Sequence, residues 1–311
     1  MPFLLFLVGA IVLLLFLSGV YVFLVACVRQ KDMQWLDREK IEKTFYAPIY
    51  DSIVAANNWI NAHDPQEVFI TSHDGLRLHA LWIPAKNPKG TILFAHGYRS
   101  TYLADFGMAL DFYYDQGLNL LLPDQRSHGK SEGRFITFGV KESEDMLSWL
   151  NLHNSQLAHC PVILSGLSMG ASTMMYLADR DLPDNVKGVV VDCGFTSPKA
   201  ILSSVFKSVT HLPPWLCMWS TGFCTRLIAG FGITQRDSVK TLQKNKLPIV
   251  MIHGTEDSFV PCDMTRQGYA ACSGPKKLFL AEGAEHGLSF LVEKDRYMLT
   301  VSQFVSDCLA L

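Results

Sequence analysis

The first 28 positions differ from the rest of the chain because they hold one unbroken apolar run. From Phe3 to Val28 no residue is charged. As a helix this stretch would measure about 39 Å, which exceeds the roughly 30 Å hydrocarbon core of a bilayer. We therefore predict a transmembrane anchor over residues 3–28 and a protein that is held at a membrane as a single-pass chain.

Two other interpretations of the apolar run stay open. A cleaved secretory signal normally has a shorter apolar region behind a basic start, and no Lys or Arg precedes this run. The tetrapeptide Leu24–Cys27 resembles a bacterial lipoprotein box, which would make Cys27 a lipidation site. The length of the run and the missing basic start disfavour both alternatives.

Positive charges directly after the anchor predict its orientation. Five of them follow closely: Arg29, Lys31, Arg38, Lys40 and Lys43. The positive-inside rule therefore favours a body on the cytoplasmic side of the membrane. The eight Cys include no CxxC motif and no zinc-type spacing, which agrees with buried free thiols in a reducing compartment. An extracytoplasmic body is the alternative.

Beyond a connector over residues 29–65, which contains one amphipathic helical stretch, the pattern becomes that of strands. Residues 67–85 alternate apolar and polar positions around His73-Asp74-Gly75, which predicts a β-hairpin. Short apolar runs then each lead into a turn and a helix-like interval, at 91–97, 118–124, 161–166, 188–194, 248–254 and 277–283. Such runs are typical of strands covered on both faces. We predict an α/β fold whose eight-stranded sheet is mostly parallel and begins antiparallel.

The run at 161–166 leads into the sequence Gly-Leu-Ser-Met-Gly, which places Ser168 where a buried strand turns into a helix. In an open parallel sheet, ligands bind beyond the carboxyl ends of the strands. A serine at such a turn points its hydroxyl outward, and the flanking positions have almost no room for side chains. Gly166 and Gly170 supply that room, so the pattern predicts an exposed nucleophile.

A serine hydroxyl needs a base to remove its proton and a third group to orient that base. In the order Ser, acid, His, the acid follows a later strand and the histidine comes last. Asp257 lies in the loop after the run 248–254, and His286 lies beyond the next run, directly before the last helix. Both would reach the same edge of the sheet as Ser168, so these three residues are the predicted catalytic set.

Five segments in this order, FAHGYRS, DQRSHGKSEG, GLSMG, HGTEDSFVP and EGAEHG, resemble the α/β-hydrolase superfamily. The resemblance covers roughly residues 66–308. It is to the branch of serine-aminopeptidase-like and monoacylglycerol-lipase-like enzymes, in their membrane-anchored bacterial form. It implies an α/β-hydrolase catalytic domain over residues 66–311, with Ser168 as nucleophile, Asp257 as acid and His286 as base.

The same resemblance implies an oxyanion hole made of two backbone N–H groups, those of Tyr98 and Met169. Met169 follows the nucleophile, and Tyr98 follows the His-Gly pair after the run that begins at 91. N–H groups at the start of a helix face the negative charge that develops on the substrate oxygen. Losing one such donor typically costs about 2.7–4 kcal/mol of transition-state stabilisation.

Two other acids compete for the role of Asp257. Asp192 also ends a strand, and some hydrolases place the acid there, but the context of HGTEDSFVP favours Asp257. Glu256 should point elsewhere and be solvated.

Among the remaining titratable residues, His96 and His128 lie in Gly-containing turns at strand ends and are predicted to be structural hydrogen bonders. His253, directly before Gly254, should support its turn from the core. Cys193 lies near the same sheet edge, with nothing basic beside it to form a thiolate, and should serve packing. No metal, nucleotide or flavin motif occurs, so no cofactor is expected.

The interval 195–247 is too long for a single crossover and is predicted to be an insertion that caps the active site. It has seven Lys or Arg against the one acid Asp237, a net charge of +6, around an apolar middle. If that middle is helical, Trp215, Trp219 and Phe223 share one face. We expect an apolar core packed on the domain with a solvated basic rim. The alternative is a cap that meets an anionic bilayer and admits an acyl chain.

Composition narrows the class of function. The net charge is −2, without the excess of Lys and Arg that binding to nucleic acid needs. We predict a membrane-anchored serine hydrolase that cleaves acyl esters, lipid or small acyl esters among them, through an acyl-enzyme. A peptidase, an amidase or an acyltransferase would use the same three residues, and a non-catalytic binding module of the same fold is the remaining alternative. The expected partners are a small acyl substrate and the membrane, and protein partners cannot be read from the sequence.

Overall fold

A computed structural model describes residues 2–310, which form one eight-stranded sheet with helices on both faces. The strands are β1 Gln66–Thr71, β2 Arg77–Ile83, β3 Gly90–Ala95, β4 Leu118–Pro123, β5 Val162–Leu167, β6 Val186–Asp192, β7 Ile249–Gly254 and β8 Lys276–Ala281. Each apolar run in the sequence has become a strand, and the predicted hairpin is β1–β2, so the predicted α/β fold is confirmed.

The strand order is β1-β2-β4-β3-β5-β6-β7-β8. β2 runs antiparallel to both β1 and β4, and every later pairing is parallel. The carboxyl ends of β5, β6, β7 and β8 therefore lie side by side at one edge. Loops that leave these strands must meet there, which is the condition for a site assembled from distant parts of the chain.

Thirteen α-helices are described within residues 2–310. They are α1 Pro2–Cys27, α2 Arg38–Ile41, α3 Tyr50–Asn61, α4 Tyr102–Phe106, α5 Leu110–Asp115, α6 Val140–Leu152, α7 Met169–Met175, α8 Pro198–Thr210, α9 Trp215–Cys224, α10 Ser238–Leu242, α11 Cys262–Ala271, α12 Ser289–Val292 and α13 Lys294–Leu309. All residues of β3, β4 and β7 are buried, because α3, α5 and α13 cover one face of the sheet and α6, α7 and α11 cover the other. This two-sided burial explains the continuous apolar runs in the sequence.

Helix α1 is apolar throughout and long enough to cross a membrane, with a mean hydropathy of 2.9 over its most apolar 18 residues. Most of its large side chains are exposed, and the face that is buried carries Gly19, Phe23 and Cys27. This face packs on α9 of the insertion, residues 195–247. The connector then leads through α2 and α3, the amphipathic helix that the sequence predicts, to the hairpin.

Arg126, in the loop after β4, joins the hairpin to α6. Its guanidinium donates to both carboxylate oxygens of Asp145 at 2.6 Å, and to Asp74 in the hairpin turn at 2.9 and 3.1 Å. The side chains of Arg126 and Asp145 are only 3% and 2% exposed. The buried guanidinium of Arg126 thus connects the hairpin turn to α6, which is distant from it in the chain.

We expect Arg126→Met to lower the free energy of unfolding by about 3–5 kcal/mol, because it leaves the Asp145 carboxylate buried without a partner. The matched control is Lys130→Met, which breaks an exposed pair with Glu67 and should change stability by no more than about 1 kcal/mol. Urea denaturation of the detergent-solubilised protein, followed by circular dichroism, measures both. Equal effects of the two substitutions would contradict this account of Arg126.

Candidate active site

Ser168 stands between a strand and a helix in a conformation that few residues adopt. β5 ends at Leu167 and α7 begins at Met169, while Ser168 between them has φ 55° and ψ −115°. Its backbone N–H donates to the Asp192 carbonyl oxygen at the end of β6, at 2.9 Å. A non-glycine residue in this region costs about 1–3 kcal/mol, which the surrounding structure must offset. Strain of this kind clusters at functional sites.

The two glycines around Ser168 lie where no side chain fits. A Cβ at position 170 would overlap the carbonyl of Ala95 in β3, and one at position 166 would overlap the carbonyl of Gly170. Both contacts are with backbone, which cannot move aside without shifting the sheet. The first turn of α7 can therefore lie against the end of β3 only with glycine at both positions.

Ser168, His286 and Asp257 form one chain of hydrogen bonds. His286 lies between β8 and α12, and its Nε2 is 2.9 Å from the Ser168 Oγ. Asp257 follows β7, and its Oδ2 is 2.6 Å from the His286 Nδ1. Since a carboxylate only accepts, Nδ1 carries the hydrogen and Nε2 is free to accept the serine proton. The three residues that the sequence singled out are brought together in the order that proton transfer requires.

Asp257 is held ionised by its surroundings. Its Oδ1 accepts from the N–H groups of Phe259 and Val260 at 2.9 and 2.8 Å. Burial alone would raise the pKa of Asp257, but hydrogen bonds from His253 and His286 outweigh it and hold the pKa well below its usual range. The carboxylate can therefore balance a positive charge on His286.

His253 contributes to the site in a way that the sequence did not reveal. Its Nε2 lies 3.1 Å from the Asp257 Oδ2 and 2.9 Å from the Val260 carbonyl oxygen. Because both neighbours accept, this nitrogen must carry a hydrogen. His253 supports its turn, as the sequence predicts, and it also fixes the carboxylate that faces His286. Its spacing of four residues before Asp257 is the one signal that could have suggested this contact.

The two candidate oxyanion donors are backbone N–H groups without an acceptor in the described chain. They belong to Met169, the first residue of α7, and to Tyr98. The loop that carries Tyr98 is held by Asp105, whose carboxylate accepts from the Gly97 N–H and the Ser100 hydroxyl at 2.5 Å each. Burial raises the pKa of Asp105 to about 6, although these two hydrogen bonds oppose the shift.

A cavity of about 390 Å³ opens beside the Ser168 hydroxyl. The residues that line it are mainly apolar, and three of them belong to the connector: Phe45, Tyr46 and Ile49. The Phe45 ring lies 6.5 Å from the His286 ring, between centroids. The connector, which the sequence predicted only as a link, therefore forms part of the cavity roof. The volume lies within the range of sites for small organic ligands.

The insertion packs beside Met169 and Tyr98, and its role as a cap over the active site stays a prediction. No residue of 195–247 lines the cavity beside Ser168. The apolar side chains of the insertion pack instead on α1 and on the segment that contains Phe138. The physical reason is that α1 offers the insertion a long apolar partner, whose position relative to the domain is not readable from the sequence.

Neither rival acid forms a hydrogen bond with His286 in the described part of the chain. Asp192 accepts from the Ser289 hydroxyl at 3.1 Å, and Glu256 is exposed, as predicted. Burial raises the pKa of Asp192 to about 6, against the opposing influence of His253, Ser289 and His286. Asp192 is thus a structural carboxyl in the layer beneath the site.

His96 and His128 are buried structural hydrogen bonders. The His96 Nε2 accepts from the Gln125 N–H at 3.0 Å, and the His128 Nε2 accepts from the Arg99 N–H at 2.9 Å. Burial lowers the pKa of His96 to about 3 and that of His128 to about 4, so both rings are neutral at physiological pH. These hydrogen bonds order the loop that contains Tyr98 and the neighbouring loop after β4.

Two groups of side chains have the composition of metal ligands. Cys193 lies with Asp257 and His286, their ligand atoms within 4.8 Å of one another, and His73 lies with two acids, Asp74 and Asp145. In the first group burial raises the pKa of the Cys193 thiol well above its usual value. In the second group the two carboxylates already bind Arg126, whose positive charge would repel a cation. Neither donor set suits a metal better than its present hydrogen bonds.

The end of α1 is bonded to the loop of the candidate oxyanion hole. The Tyr98 hydroxyl donates to the Ala26 carbonyl oxygen at 2.9 Å, and the Arg99 guanidinium donates to that of Val25 at 2.5 Å. These carbonyls belong to the last turn of the helix, which has no further intrahelical donors. The end of α1 therefore contacts Tyr98, a residue that lines the cavity.

This sheet, with a strained serine after β5, an acid after β7 and a histidine after β8, has the α/β-hydrolase fold. Comparison with known proteins agrees, since a family model described as "Serine aminopeptidase, S33" matches residues 86–222. Over these residues, which make up less than half of its length, the chain is similar to the serine-aminopeptidase-like branch of the α/β-hydrolase superfamily.

Two relatives by sequence and one by structure illustrate the similarity. YqkD, an uncharacterized protein of Bacillus subtilis (strain 168), is 26% identical over 257 residues, which cover 79% of this chain and 84% of that protein. Protein bem46 of Schizosaccharomyces pombe is 23% identical over 251 residues, or 77% and 78% of the two chains. The structure is similar to the Pyrococcus furiosus esterase Pf2001, with a TM-score of 0.65, 23% identity and coverage of 80% and 92%.

The two candidate acids can be separated by substitution. We expect Asp257→Asn to lower kcat for a p-nitrophenyl ester by about 10⁴-fold, because an amide cannot hold the imidazole in the required tautomer. Asp192→Asn should keep kcat within the same order of magnitude, since the amide oxygen can still accept from Ser289. Steady-state kinetics of the purified full-length variants measure both. A greater loss in Asp192→Asn would transfer the role to Asp192.

The pH dependence of stability tests the burial of the Asp192 carboxyl. Its folded pKa of about 6 exceeds the unfolded value of about 3.9, so ionisation between roughly pH 4 and pH 6 destabilises the wild-type fold, and that cost persists at higher pH. The Asn variant cannot ionise. The difference in free energy of unfolding, variant minus wild type, should therefore be greater at pH 7 than at pH 4, by on the order of 1–3 kcal/mol. Urea denaturation at the two pH values measures it, and a constant or inverted difference contradicts the prediction.

Proposed function

We propose that this hydrolase is a membrane-anchored serine esterase in which Ser168 attacks the acyl carbonyl. The Oγ–C bond forms as the hydroxyl proton passes to the His286 Nε2, and the same proton then leaves with the departing alcohol. Water, deprotonated by His286, releases the acyl group and restores Ser168. Asp257 holds the imidazole and balances its charge in both halves of the reaction.

The observation that carries this proposal is the pair of distances around His286, 2.9 Å to Ser168 and 2.6 Å to Asp257. Both lie within the reach that general base catalysis requires. The N–H groups of Tyr98 and Met169 are the proposed donors to the oxyanion, each contributing about 2.7–4 kcal/mol to the transition state. Asp105 contributes indirectly, because it orders the loop before Tyr98.

The charge inside the cavity favours esters over peptides with a free amino terminus. An aminopeptidase must bind a positively charged α-amine, which calls for a carboxylate that faces the substrate. The two acids that line the cavity are Asp105, whose oxygens accept from Gly97 and Ser100, and Glu285, which is exposed at the rim. The walls are otherwise suited to an apolar acyl group. The name of the Pyrococcus relative, an esterase, points the same way.

We further propose that α1 is retained as a membrane anchor. Length and apolarity alone also fit a signal sequence. Phe23 and Cys27, however, are buried against the catalytic domain, and the last carbonyls of α1 accept hydrogen bonds from Tyr98 and Arg99. A helix removed after export would leave these partners exposed. The cytoplasmic orientation expected from the basic residues after α1 stays a prediction.

Labelling of the full-length protein in membranes with a fluorophosphonate probe tests the nucleophile. The wild type should react and Ser168→Ala should not, because only the Ser168 hydroxyl faces the imidazole. The matched control is Ser258→Ala, since Ser258 lines the same cavity without a bond to His286. Its variant should label like the wild type. Labelling that survives Ser168→Ala would overturn the proposal.

The substrate class is tested with p-nitrophenyl esters of graded acyl length beside aminoacyl p-nitroanilides. We expect release of p-nitrophenol from the esters and a kcat/KM for each anilide well below that of the matching ester. Faster cleavage of the anilides would identify a peptidase. Product analysis in the presence of added alcohols distinguishes hydrolysis from acyl transfer to an acceptor.

A further inference from the structure

The contact between α1 and α9 is built from small and hydroxyl residues. A Cβ at Gly19 would overlap the Ser220 side chain and lie 2.6 Å from the Cys217 carbonyl oxygen, so the two helices approach this closely only with glycine there. The Thr221 hydroxyl lies 3.2 Å from the Gly19 carbonyl oxygen, and the Ser220 hydroxyl 3.3 Å from that of Leu15. Small residues at the contact and hydroxyls that donate across it are typical of helix pairs within membranes.

Another side of α9 and of the turn after it presents large apolar side chains to the outside. Four of them are spaced by four residues, and all are at least half exposed: Trp215 at 69%, Trp219 at 50%, Phe223 at 53% and Leu227 at 71%. In a protein surrounded by water on all sides, an apolar stripe of this length calls for a partner.

This stripe is continuous with the exposed surface of α1. The Phe16 ring lies 5.8 Å from that of Trp219 and 6.2 Å from that of Phe223, between centroids. The large apolar residues of α1 on either side of Phe16 are exposed as well. The two helices therefore share one apolar surface, and whatever surrounds α1 also surrounds α9.

The position of the contact along α1 sets its depth. Gly19 and Leu15 precede Cys27 by eight and twelve residues, which correspond to roughly 12 and 18 Å along the helix axis. The hydrocarbon core is roughly 30 Å thick. If α1 crosses a bilayer, its contact with α9 must lie inside that core, on the side where the catalytic domain stands.

The polar groups of α9 are compatible with that depth. The hydroxyls of Ser220, Thr221 and Thr225 all reach backbone carbonyl oxygens, so none needs water. The one charged residue of 215–229 is Arg226, which is exposed and long enough to reach the headgroup layer. It lines a surface groove together with Lys199, a pair of cations suited to the anionic surface of a membrane.

We propose that residues 215–229, α9 and the turn after it, form a second membrane-embedded element that enters one leaflet beside α1 without crossing it. The partner of the exposed stripe is the acyl-chain layer of the bilayer. The inference rests on the proposed role of α1 as an anchor. In this arrangement α1 and residues 215–229 together hold the catalytic cavity at the membrane surface, in place of a single flexible tether.

Quenching of tryptophan fluorescence by lipids with brominated acyl chains tests this embedding. The full-length protein is reconstituted into vesicles of phosphatidylcholine and phosphatidylglycerol. Of its six Trp, three are buried in the fold, Trp59 is half-buried, and Trp215 and Trp219 are the exposed ones. We expect strong quenching in the wild type and loss of most of it in Trp215→Phe/Trp219→Phe, a double variant that keeps the surface apolar. The matched control, Trp59→Phe, should leave the absolute decrease in emission unchanged.

A tryptophan placed in α1 separates failure of this inference from failure of the anchor. Tyr21 is 68% exposed on α1, and the quenching that Tyr21→Trp adds to the Trp215→Phe/Trp219→Phe background reports on that helix. Quenching at position 21 without quenching at 215 and 219 would overturn the embedding of α9 and leave the anchor in place. Absence of quenching at all three positions would overturn both. A stripe protected from lipid and cross-linked between protein copies would instead identify a second copy of this chain as the partner.

Discussion

The lack of space beneath the turn at Ser168 is the constraint on which the rest of the site depends. α7 begins so close to β3 that a side chain at position 170 would overlap the Ala95 carbonyl. The chain can pass from β5 into this helix only with a positive φ at Ser168, which directs the hydroxyl toward the loops after β7 and β8. A strained residue persists only where its surroundings over-determine it, and here the fully buried strand β3 and the end of β6 do so.

The sheet and the three central residues could be predicted because their signals are local. Apolar runs mark the strands, a serine between two glycines marks the turn, and the order of acid and histidine follows from the order of strands. The roof of the cavity could not be predicted in this way. Phe45, Tyr46 and Ile49 meet the site through contacts with residues far along the chain, and no motif accompanies them. His253 was assigned to its turn, but its bond to Asp257 depends on a loop conformation that spacing does not determine.

The insertion shows a different limit. The spacing of Trp215, Trp219 and Phe223 predicts a helix with an aromatic face, which the structure has. The spacing does not indicate which part of the protein packs against that helix. The expected partner was the catalytic domain, and in the structure the helix packs on α1. In the sequence, Gly19 is one small residue within an apolar run. Only the structure shows that its lack of a side chain lets Ser220 of α9 lie against α1. The sequence alone therefore does not predict that two apolar helices far apart in the chain pack on each other.

The hydrogen bonds from Tyr98 and Arg99 to the last carbonyls of α1 have a practical consequence for work with this enzyme. Hydrophobic N-terminal helices are routinely deleted to obtain soluble protein for crystallography and inhibitor screening. Here such a deletion removes two acceptors from the loop that carries Tyr98, and it uncovers the apolar surface next to Met169. Inhibitors selected against the shortened form would meet an altered recognition surface, so detergent micelles or nanodiscs are the appropriate setting for pharmacology on this enzyme.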